Sequence, residues 1–222
     1  RSAFSESYRS VRTALQFSTD RGVPKVLLVT SPSAAEGKST TALTLARNFA
    51  QLGKRVLLVE ADLRNPSLHR VTGMRAEQGL SSLLAGAASI SQVIRDTDDE
   101  RLQVILAGPL PPNPAELLSG SRLLSMLTIA AEKYDQVIID GPPVLGIADA
   151  PILSNVVSGT LLVVYSGKTR IKTAQSAIKR LAAARAHLIG GLLTHYDAKV
   201  AGYGYDYESY YAYGTTPKLG KG

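Results

Sequence analysis

The chain has 222 residues, 45% of them apolar and 19% charged, with a formal net charge of +7, and this composition excludes wholesale disorder. Its length suffices for one α/β domain, no apolar run approaches the roughly 18 residues of a membrane span, and the absence of cysteine excludes disulfides, cysteine-bound metals and thiol catalysis. Because the sequence begins at Arg1 without a methionine, we expect it to be part of a longer protein.

The first predicted element is a helix over residues 5–17, which Ser5 can cap. Its apolar residues at helical spacing are Tyr8, Val11 and Leu15. Glu6, Arg9 and Arg12 follow one another at intervals of three and therefore form a polar row on another side of the helix. Salt bridges within the helix explain such a row, and so does contact with a neighbouring subunit.

Residues 25–41, KVLLVTSPSAAEGKSTT, have the features of a phosphate-binding site. An apolar strand over 26–29 leads into a loop of small residues and then into a helical pattern, and the backbone N–H groups of such a loop attract phosphate. Gly37 lets the backbone approach the phosphates, Lys38 reaches the β- and γ-phosphates, and the Ser39 hydroxyl can bind Mg²⁺. Pro32 stands where the consensus loop has its first glycine, so a chance GKST sequence is the alternative. The predicted ATP-binding residues are Ala35, Glu36, Gly37, Lys38, Ser39 and Thr40.

A second buried parallel strand is predicted over residues 56–59 because its residues are all apolar. Strands that alternate with helices indicate right-handed βαβ units and a sheet covered on both faces. In such folds ligands bind at the carboxyl ends of the strands, where Glu60, Asp62 and Arg64 emerge. A carboxylate placed there can bind Mg²⁺ through water or accept a proton from a nucleophile.

The middle of the sequence predicts helices and a strand, and its residue pattern indicates no catalytic or binding site. Residues 79–94 read as two short helices around a glycine turn, and residues 102–108 as a third strand. A helix capped by Asn113 and begun by Pro114 is predicted to run to Lys133.

A further core strand over residues 137–139 ends in Asp140. P-loop enzymes place at this point the carboxylate that orients Mg²⁺ and its water shell. The alternative is that Asp140 caps a turn in the following GPP loop.

Two more strands, over residues 160–167 and 187–196, bracket a basic helix. Between Ser166 and His195 there are six basic residues and no acidic one: Lys168, Arg170, Lys172, Lys179, Arg180 and Arg185. Such a helix can attract nucleic acid, an anionic membrane or an acidic protein face, or it is simply a solvated face. The three histidines are scattered without ligand spacing, and we assign them no metal.

The end of the sequence is rich in tyrosine. Six tyrosines fall within residues 203–213, at Tyr203, Tyr205, Tyr207, Tyr210, Tyr211 and Tyr213. The segment is either an adhesive low-complexity tail or a cluster of phenols that accept phosphate.

Taken together, these motifs resemble the cytoplasmic kinase domain of the bacterial tyrosine kinases, the BY-kinase family of polysaccharide co-polymerases and chain-length regulators. The resemblance covers nearly the whole chain. It rests on the E-x-x-R-x-x-R pattern of ESYRSVRT, the Walker A-like SPSAAEGKST, VLLVEADLRNP, PPNPAELL, the Walker B-like VIIDGPPVLGIADA and the tyrosine-rich tail.

The resemblance implies a P-loop NTPase-like α/β fold with a mostly parallel sheet, helices on both faces and a flexible tyrosine-rich tail. It implies ATP- and Mg²⁺-dependent autophosphorylation of the tail tyrosines. Lys38, Glu60, Asp62 and Asp140 would be catalytic, with Asp62 as the base or a metal-side residue. Mg²⁺ would be held by Ser39, Asp62 and, through water, Asp140.

The resemblance also implies a biological setting. The expected partners are other copies of the chain in a phosphorylation-sensitive ring held by the Glu6, Arg9 and Arg12 row, a membrane-bound co-polymerase region that is fused or separate, and a cognate tyrosine phosphatase. No nucleic-acid partner is expected. The domain would lie at the cytoplasmic face of the inner membrane and regulate the synthesis and export of capsule or exopolysaccharide.

Three residues depart from the family pattern. Ala35 replaces a glycine and is tolerated if its φ is negative, Glu60 replaces an aspartate and moves its carboxylate by about an ångström, and Thr194 replaces an asparagine that helps to hold the base.

Two functions are alternatives to the tyrosine autokinase. One is a partitioning-type P-loop ATPase, which usually has a lysine at the place of Ser33, and the other is a catalytically weak oligomeric scaffold. We expect an oligomerisation helix over residues 1–20, a kinase core over 21–197 and a tail over 198–222.

Overall fold

The computed structural model describes residues 3–197. Within that range the strands are β1 (Val26–Thr30), β2 (Val56–Glu60), β3 (Ile94–Asp96), β4 (Leu102–Ile105), β5 (Gln136–Asp140), β6 (Gly159–Tyr165) and β7 (Leu188–Thr194). The helices are α1 (Ala3–Gln16), α2 (Lys38–Ala50), α3 (Leu68–Thr72), α4 (Leu80–Ala85), α5 (Ile90–Val93), α6 (Pro114–Ser119), α7 (Ser121–Lys133), α8 (Asp149–Val156) and α9 (Ile171–Ala183).

The strands form one sheet in the order β3-β4-β2-β5-β1-β6-β7. Every neighbouring pair is parallel except β3 with β4 at the edge. The predicted class, an α/β fold with a mostly parallel sheet, is confirmed. Because β1, β2 and β5 are adjacent and parallel, their carboxyl ends meet at the centre of one sheet edge.

Helices cover both faces of the sheet, and the strand residues alternate between the two layers. Val26 and Leu28 of β1 pack under α4, α6, α7 and α8, whereas Leu27 and Val29 pack under α1, α2 and α3. Each fully buried leucine contributes about 1.5–3 kcal/mol to folding. A strand buried on both sides needs apolar residues at every position, which is why these strands were visible in the sequence.

One sequence expectation about secondary structure was wrong. The single helix expected from Pro114 to Lys133 is divided into α6 and α7, because Gly120 has an extended backbone with φ −73° and ψ 154°. In a helix interior, glycine is about 1 kcal/mol less favourable than alanine. The two short helices expected in residues 79–94 are confirmed as α4 and α5, and only Ile94, the last residue of that stretch, belongs to β3. Helices α3 and α8 were not predicted.

The N-terminal helix α1 packs on the core. Tyr8 and Leu15 are buried, as their helical spacing predicted. The hydroxyl groups of Tyr8 and Thr41 are 2.9 Å apart in a buried hydrogen bond, which joins α1 to the helix that follows the phosphate loop. Burial raises the pKa of the Tyr8 phenol, and the bond to Thr41 partly offsets this rise. None of the helices between residues 3 and 197 is long and apolar enough to cross a membrane.

Candidate active site

The loop between β1 and α2 is shaped by its own glutamate. The Glu36 side chain is buried, and its two carboxylate oxygens accept hydrogen bonds from the backbone N–H groups of Ser33, at 2.9 Å, and Tyr165, at 3.0 Å. Glu36 therefore closes the loop on itself and attaches it to the end of β6. Ala35 has φ +61°, so the condition on which this alanine was expected to be tolerated, a negative φ, is not met. A non-glycine residue in this conformation stores about 1–2 kcal/mol of strain.

Gly37 and Thr194 fit closely against each other. Gly37 has φ +90°, and a Cβ added to it would lie 3.3 Å from the Thr194 methyl group. The Thr194 hydroxyl donates to the Glu36 carbonyl oxygen at 2.8 Å. The threonine that departs from the family pattern thus supports the phosphate loop from the end of β7.

Lys38 and Asp62 form a buried ion pair at the carboxyl edge of the sheet. The Lys38 ammonium donates to Asp62 Oδ2 at 3.0 Å, and the two side chains are only 9% and 4% exposed. The other Asp62 oxygen accepts the Asn65 N–H at 3.0 Å. Because both Asp62 oxygens have partners, a phosphate that draws Lys38 away would free one of them.

Asp140 ends β5 opposite Glu60 in the strand register and is completely buried. Neither of its carboxylate oxygens has a hydrogen-bond partner among residues 3–197. Desolvation raises the pKa of Asp140 to about 7, against the lowering effects of the Lys38 charge and the nearby Ser39 hydroxyl. A buried carboxylate without a partner is costly, and a bound cation would remove the cost.

The donor set fits a Mg²⁺ ion that is completed by phosphate oxygens. Mg²⁺ in nucleotide sites usually takes one or two carboxylates besides substrate phosphates and water. Asp140, Asp62 and the Ser39 hydroxyl lie around the phosphate loop as expected. In the described range no three His, Cys, Asp or Glu residues form a metal-holding group by themselves.

Glu60 is buried and is held by backbone N–H groups. Its Oε1 atom accepts the N–H groups of Ser67 and Leu68, both at 2.6 Å, and its Oε2 atom accepts the Ala107 N–H at 3.0 Å. The side chain is 1% exposed. These contacts favour a positioning role for Glu60, which joins the start of α3 to the end of β4. The catalytic role that we expected for Glu60 stays a prediction.

Sequence reasoning missed two contacts that hold the loops of the site together. Arg64 donates two hydrogen bonds to Asp149, at 2.8 and 3.0 Å, and the Asp149 carboxylate is fully buried. The hydroxyl groups of Ser39 and Ser67 lie 2.7 Å apart. Arg64 and Asp149 are 85 residues apart in the chain, and only the position of Asp149 among apolar residues could have suggested that it needed a partner.

The remaining predicted residues lie outside this site. In α1, Arg9 donates to Glu6 at 2.9 Å, so one of the two explanations for that row, a salt bridge within the helix, is present. Arg12 has a buried Nε atom without a hydrogen-bond partner in the described range. The six tail tyrosines lie outside the described residues.

Comparisons with known proteins agree with this architecture. A sequence model of the AAA domain family matches residues 25–183. The tyrosine-protein kinase YwqD of Bacillus subtilis is 43% identical over 189 residues, which are 85% of this chain and 80% of that protein. The kinase domain of the Escherichia coli tyrosine kinase ETK has a TM-score of 0.82 and 33% identity, covering 87% of this chain and 79% of the other. The tyrosine-protein kinase ptk of Acinetobacter johnsonii is 38% identical over 198 residues, but the chain spans only 27% of its length.

The parallel sheet and the GKST loop at its carboxyl edge define a P-loop nucleotide-binding protein. The identity and coverage of the matches to YwqD and ETK narrow this class to one family. The chain belongs to the bacterial tyrosine-protein kinases, and it is an enzyme of that type.

Proposed function

We propose that the chain is an ATP- and Mg²⁺-dependent autokinase that phosphorylates tyrosines of its own C-terminal segment, Tyr203 to Tyr213. The observation that carries the proposal is the pairing of a phosphate-loop lysine with an acidic residue, Lys38 with Asp62, in a chain that has six tyrosines within residues 203–213. Phosphoryl transfer needs positioning and charge neutralisation more than covalent chemistry by the protein.

The residues of the site have distinct parts in this reaction. The phosphate loop and Lys38 hold the β- and γ-phosphates of ATP. Asp62, once released from Lys38, takes the phenol proton while the phenol oxygen bonds to the γ-phosphorus and the bond to the ADP oxygen breaks. Mg²⁺, when bound, supplies charge neutralisation at the phosphates, and Ser39 and, through water, Asp140 would hold it there while Asp62 acts as the base.

The proposal includes the setting in which the kinase acts. Related proteins are named tyrosine kinases, one of them "in cps region" in Klebsiella pneumoniae, and this supports a role in capsule or exopolysaccharide production. We place the chain in a homo-oligomer at the cytoplasmic face of the membrane, beside a co-polymerase region and opposed by a tyrosine phosphatase.

The test is mass spectrometry of the purified chain after incubation with ATP and Mg²⁺. We expect phosphate on residues 203–213 of the unmodified chain and none on a Lys38→Met variant, while Lys54→Met, a surface lysine near the opposite sheet edge, behaves like the unmodified chain. ATP hydrolysis without tyrosine phosphate would instead indicate an ATPase switch. Nucleotide binding without turnover would indicate a scaffold.

The assembly needs a separate experiment. Replacing Arg9 and Arg12 by alanine is expected to leave a monomer in analytical ultracentrifugation, because the outward part of α1 would lose its charged contacts. A variant with Arg21→Ala, outside the helix, serves as the control. An oligomer that persists without both arginines would remove α1 from the interface.

A further inference from the structure

The outer face of α9 is basic and apolar at the same time. Ala177 and Leu181 face the core, whereas Ile171, at 77% exposure, and Ile178, at 42%, face outward. Lys172 and Lys179 stand next to the two isoleucines, and residues 166–195 contain no acid that could neutralise them. We call the exposed side chains of Lys168, Arg170, Ile171, Lys172, Ile178 and Lys179 the α9 surface. This combination of positive charge and exposed apolar side chains suits a ligand that carries both negative charge and aromatic groups.

The described part of the chain ends beside this surface. β6 and β7 are paired so that Tyr165 lies opposite Thr194, and the Ser166 N–H donates to the Thr194 carbonyl at 3.0 Å. The rings of Tyr165 and His195 are stacked with their centres 3.9 Å apart. The Lys168 ammonium lies 5.2 Å from the centre of the Tyr165 ring. His195, two residues before the end of the described range, is therefore held next to the amino end of α9.

The distances allow the tyrosines to reach the α9 surface. Tyr203 follows Asp197 by six residues, which extend to at most about 20 Å. The 13 residues of α9 also span about 20 Å. In an extended segment Tyr203, Tyr205 and Tyr207 share one face, at intervals of about 6.6 Å, so that the outer two lie about 13 Å apart.

The charges are complementary once phosphate is present. Lys172 and Lys179 are seven residues apart and project on nearly the same side of the helix, about 10 Å from each other along its axis. Residues 203–213 contain two acidic residues and no basic one. Three phosphotyrosines would add about 4.5 to 6 negative charges.

From these observations we infer that the α9 surface is a docking site for the phosphorylated C-terminal segment of the same chain. The phosphates pair with the lysines, and the phenyl rings lie against Ile171 and Ile178. The inference rests on the proposed function, since it gives the phosphorylated segment a place to bind. Its consequence is that phosphorylated tyrosines are drawn away from the phosphate loop. This leaves the active site open to a tyrosine that is not yet phosphorylated.

The test uses a synthetic peptide, so that it does not depend on the kinase activity. A fluorescent peptide of residues 201–214 with phosphotyrosine at positions 203, 205 and 207 is titrated with the full chain carrying Lys38→Met, and its anisotropy is measured at low salt. The same chain with Lys172→Glu and Lys179→Glu is compared with one carrying Lys54→Glu and Lys133→Glu, which places the same charge change near the opposite edge of the sheet.

We expect the α9 reversal to weaken peptide binding roughly tenfold or more, because two attractive charges become repulsive. The control reversal should change it less than about twofold, since Lys54 and Lys133 lie just before β2 and β5 and so at the opposite edge of the sheet from the amino end of α9. The unphosphorylated peptide should bind at least roughly tenfold more weakly than the phosphopeptide. Full chain that has phosphorylated itself should also bind the peptide more weakly, because its own segment competes.

Three results would overturn the inference: equal binding to both reversal variants, no binding of the phosphopeptide, or equal binding of the unphosphorylated peptide. Sedimentation with phosphatidylserine vesicles is run in parallel. Vesicle binding that needs Lys172 and Lys179, without phosphopeptide binding, would assign the surface to an anionic membrane instead. If the chain fails to phosphorylate itself but still binds the phosphopeptide at α9, the proposed function fails while the docking site stands.

Discussion

The replacement of Glu60 by glutamine separates a positioning role from a catalytic one. The carboxylate accepts three backbone N–H groups, from Ser67, Leu68 and Ala107. A glutamine of the same length can offer its oxygen to the first two. Its NH₂ group then faces the Ala107 N–H, so that two donors oppose each other in a buried place.

The expected loss of stability follows from these contacts. A buried donor without an acceptor costs about 1–3 kcal/mol, and the two remaining hydrogen bonds lose the strength that the charge gave them. A total of about 3 kcal/mol is reasonable, which lowers the melting temperature of a chain of this length by about 6–12 °C. Glu60→Asp withdraws the carboxylate by about an ångström from all three N–H groups and should cost at least as much.

Thermal unfolding without nucleotide measures this effect, and Glu132→Gln on the exposed face of α7 is the matched control. If the melting temperature of Glu60→Gln equals that of the control while phosphorylation is abolished, the positioning argument is refuted and Glu60 acts in the chemistry. A gain in phosphorylation with Glu60→Asp would equally contradict it, because the shorter side chain would then fit the site better.

Three further changes test other parts of the site. The unfolded chain ionises Asp140 near pH 4 but the folded chain only near pH 7, so the free energy of unfolding without metal should fall by about 1.4 kcal/mol per pH unit between these values. In urea unfolding with EDTA, the stability advantage of Asp140→Asn over the unmodified chain should therefore grow by about 3 kcal/mol from pH 5 to pH 7. A difference independent of pH would contradict the burial argument. Ala35→Gly should raise the free energy of unfolding by about 0.5–1 kcal/mol, because the relief of backbone strain at φ +61° exceeds the extra conformational entropy that glycine loses on folding. An unchanged urea midpoint would show that no strain is stored there. Arg64→Lys should lower the free energy of unfolding by about 1–2 kcal/mol, since lysine cannot make both hydrogen bonds to the buried Asp149. Arg70→Lys is the control. Equal urea midpoints for the two variants would show that the two hydrogen bonds to Asp149 do not contribute to stability.

Much of the fold followed from local sequence patterns. The apolar runs of β1, β2 and β5 predicted parallel strands because such strands are buried on both faces, and the alternation with helices fixed the edge at which Lys38, Asp62 and Asp140 meet. The division of the helix at Gly120 was not predicted, because one glycine in an otherwise helical pattern is often tolerated. The edge strand β3 has only three residues, too few for a recognisable alternation.

The contacts that determine the role of each site residue could not be predicted in this way. Lys38 and Asp62, Arg64 and Asp149, and Glu60 and Ala107 are between 24 and 85 residues apart in the chain. Sequence spacing identifies the edge of the sheet that a side chain reaches. It does not identify the partner that the side chain finds there, since this depends on how loops from different strands pack.

Three carboxylates of similar chemistry lie within this edge, and their partners distinguish them. Glu60 has its acceptor positions filled by backbone N–H groups that do not leave while the chain is folded. Asp62 is paired with Lys38, whose charge a phosphate can draw away, so Asp62 has a partner that can be exchanged during a reaction cycle. Asp140 has none within residues 3–197 and is entirely buried. A fixed partner suits a structural brace, an exchangeable one suits a base, and an absent one suits a ligand that awaits its cation. The roles that we propose for Asp62 and Asp140 were expected from their motifs, and the environment of each carboxylate supports them, whereas the contacts of Glu60 favour positioning.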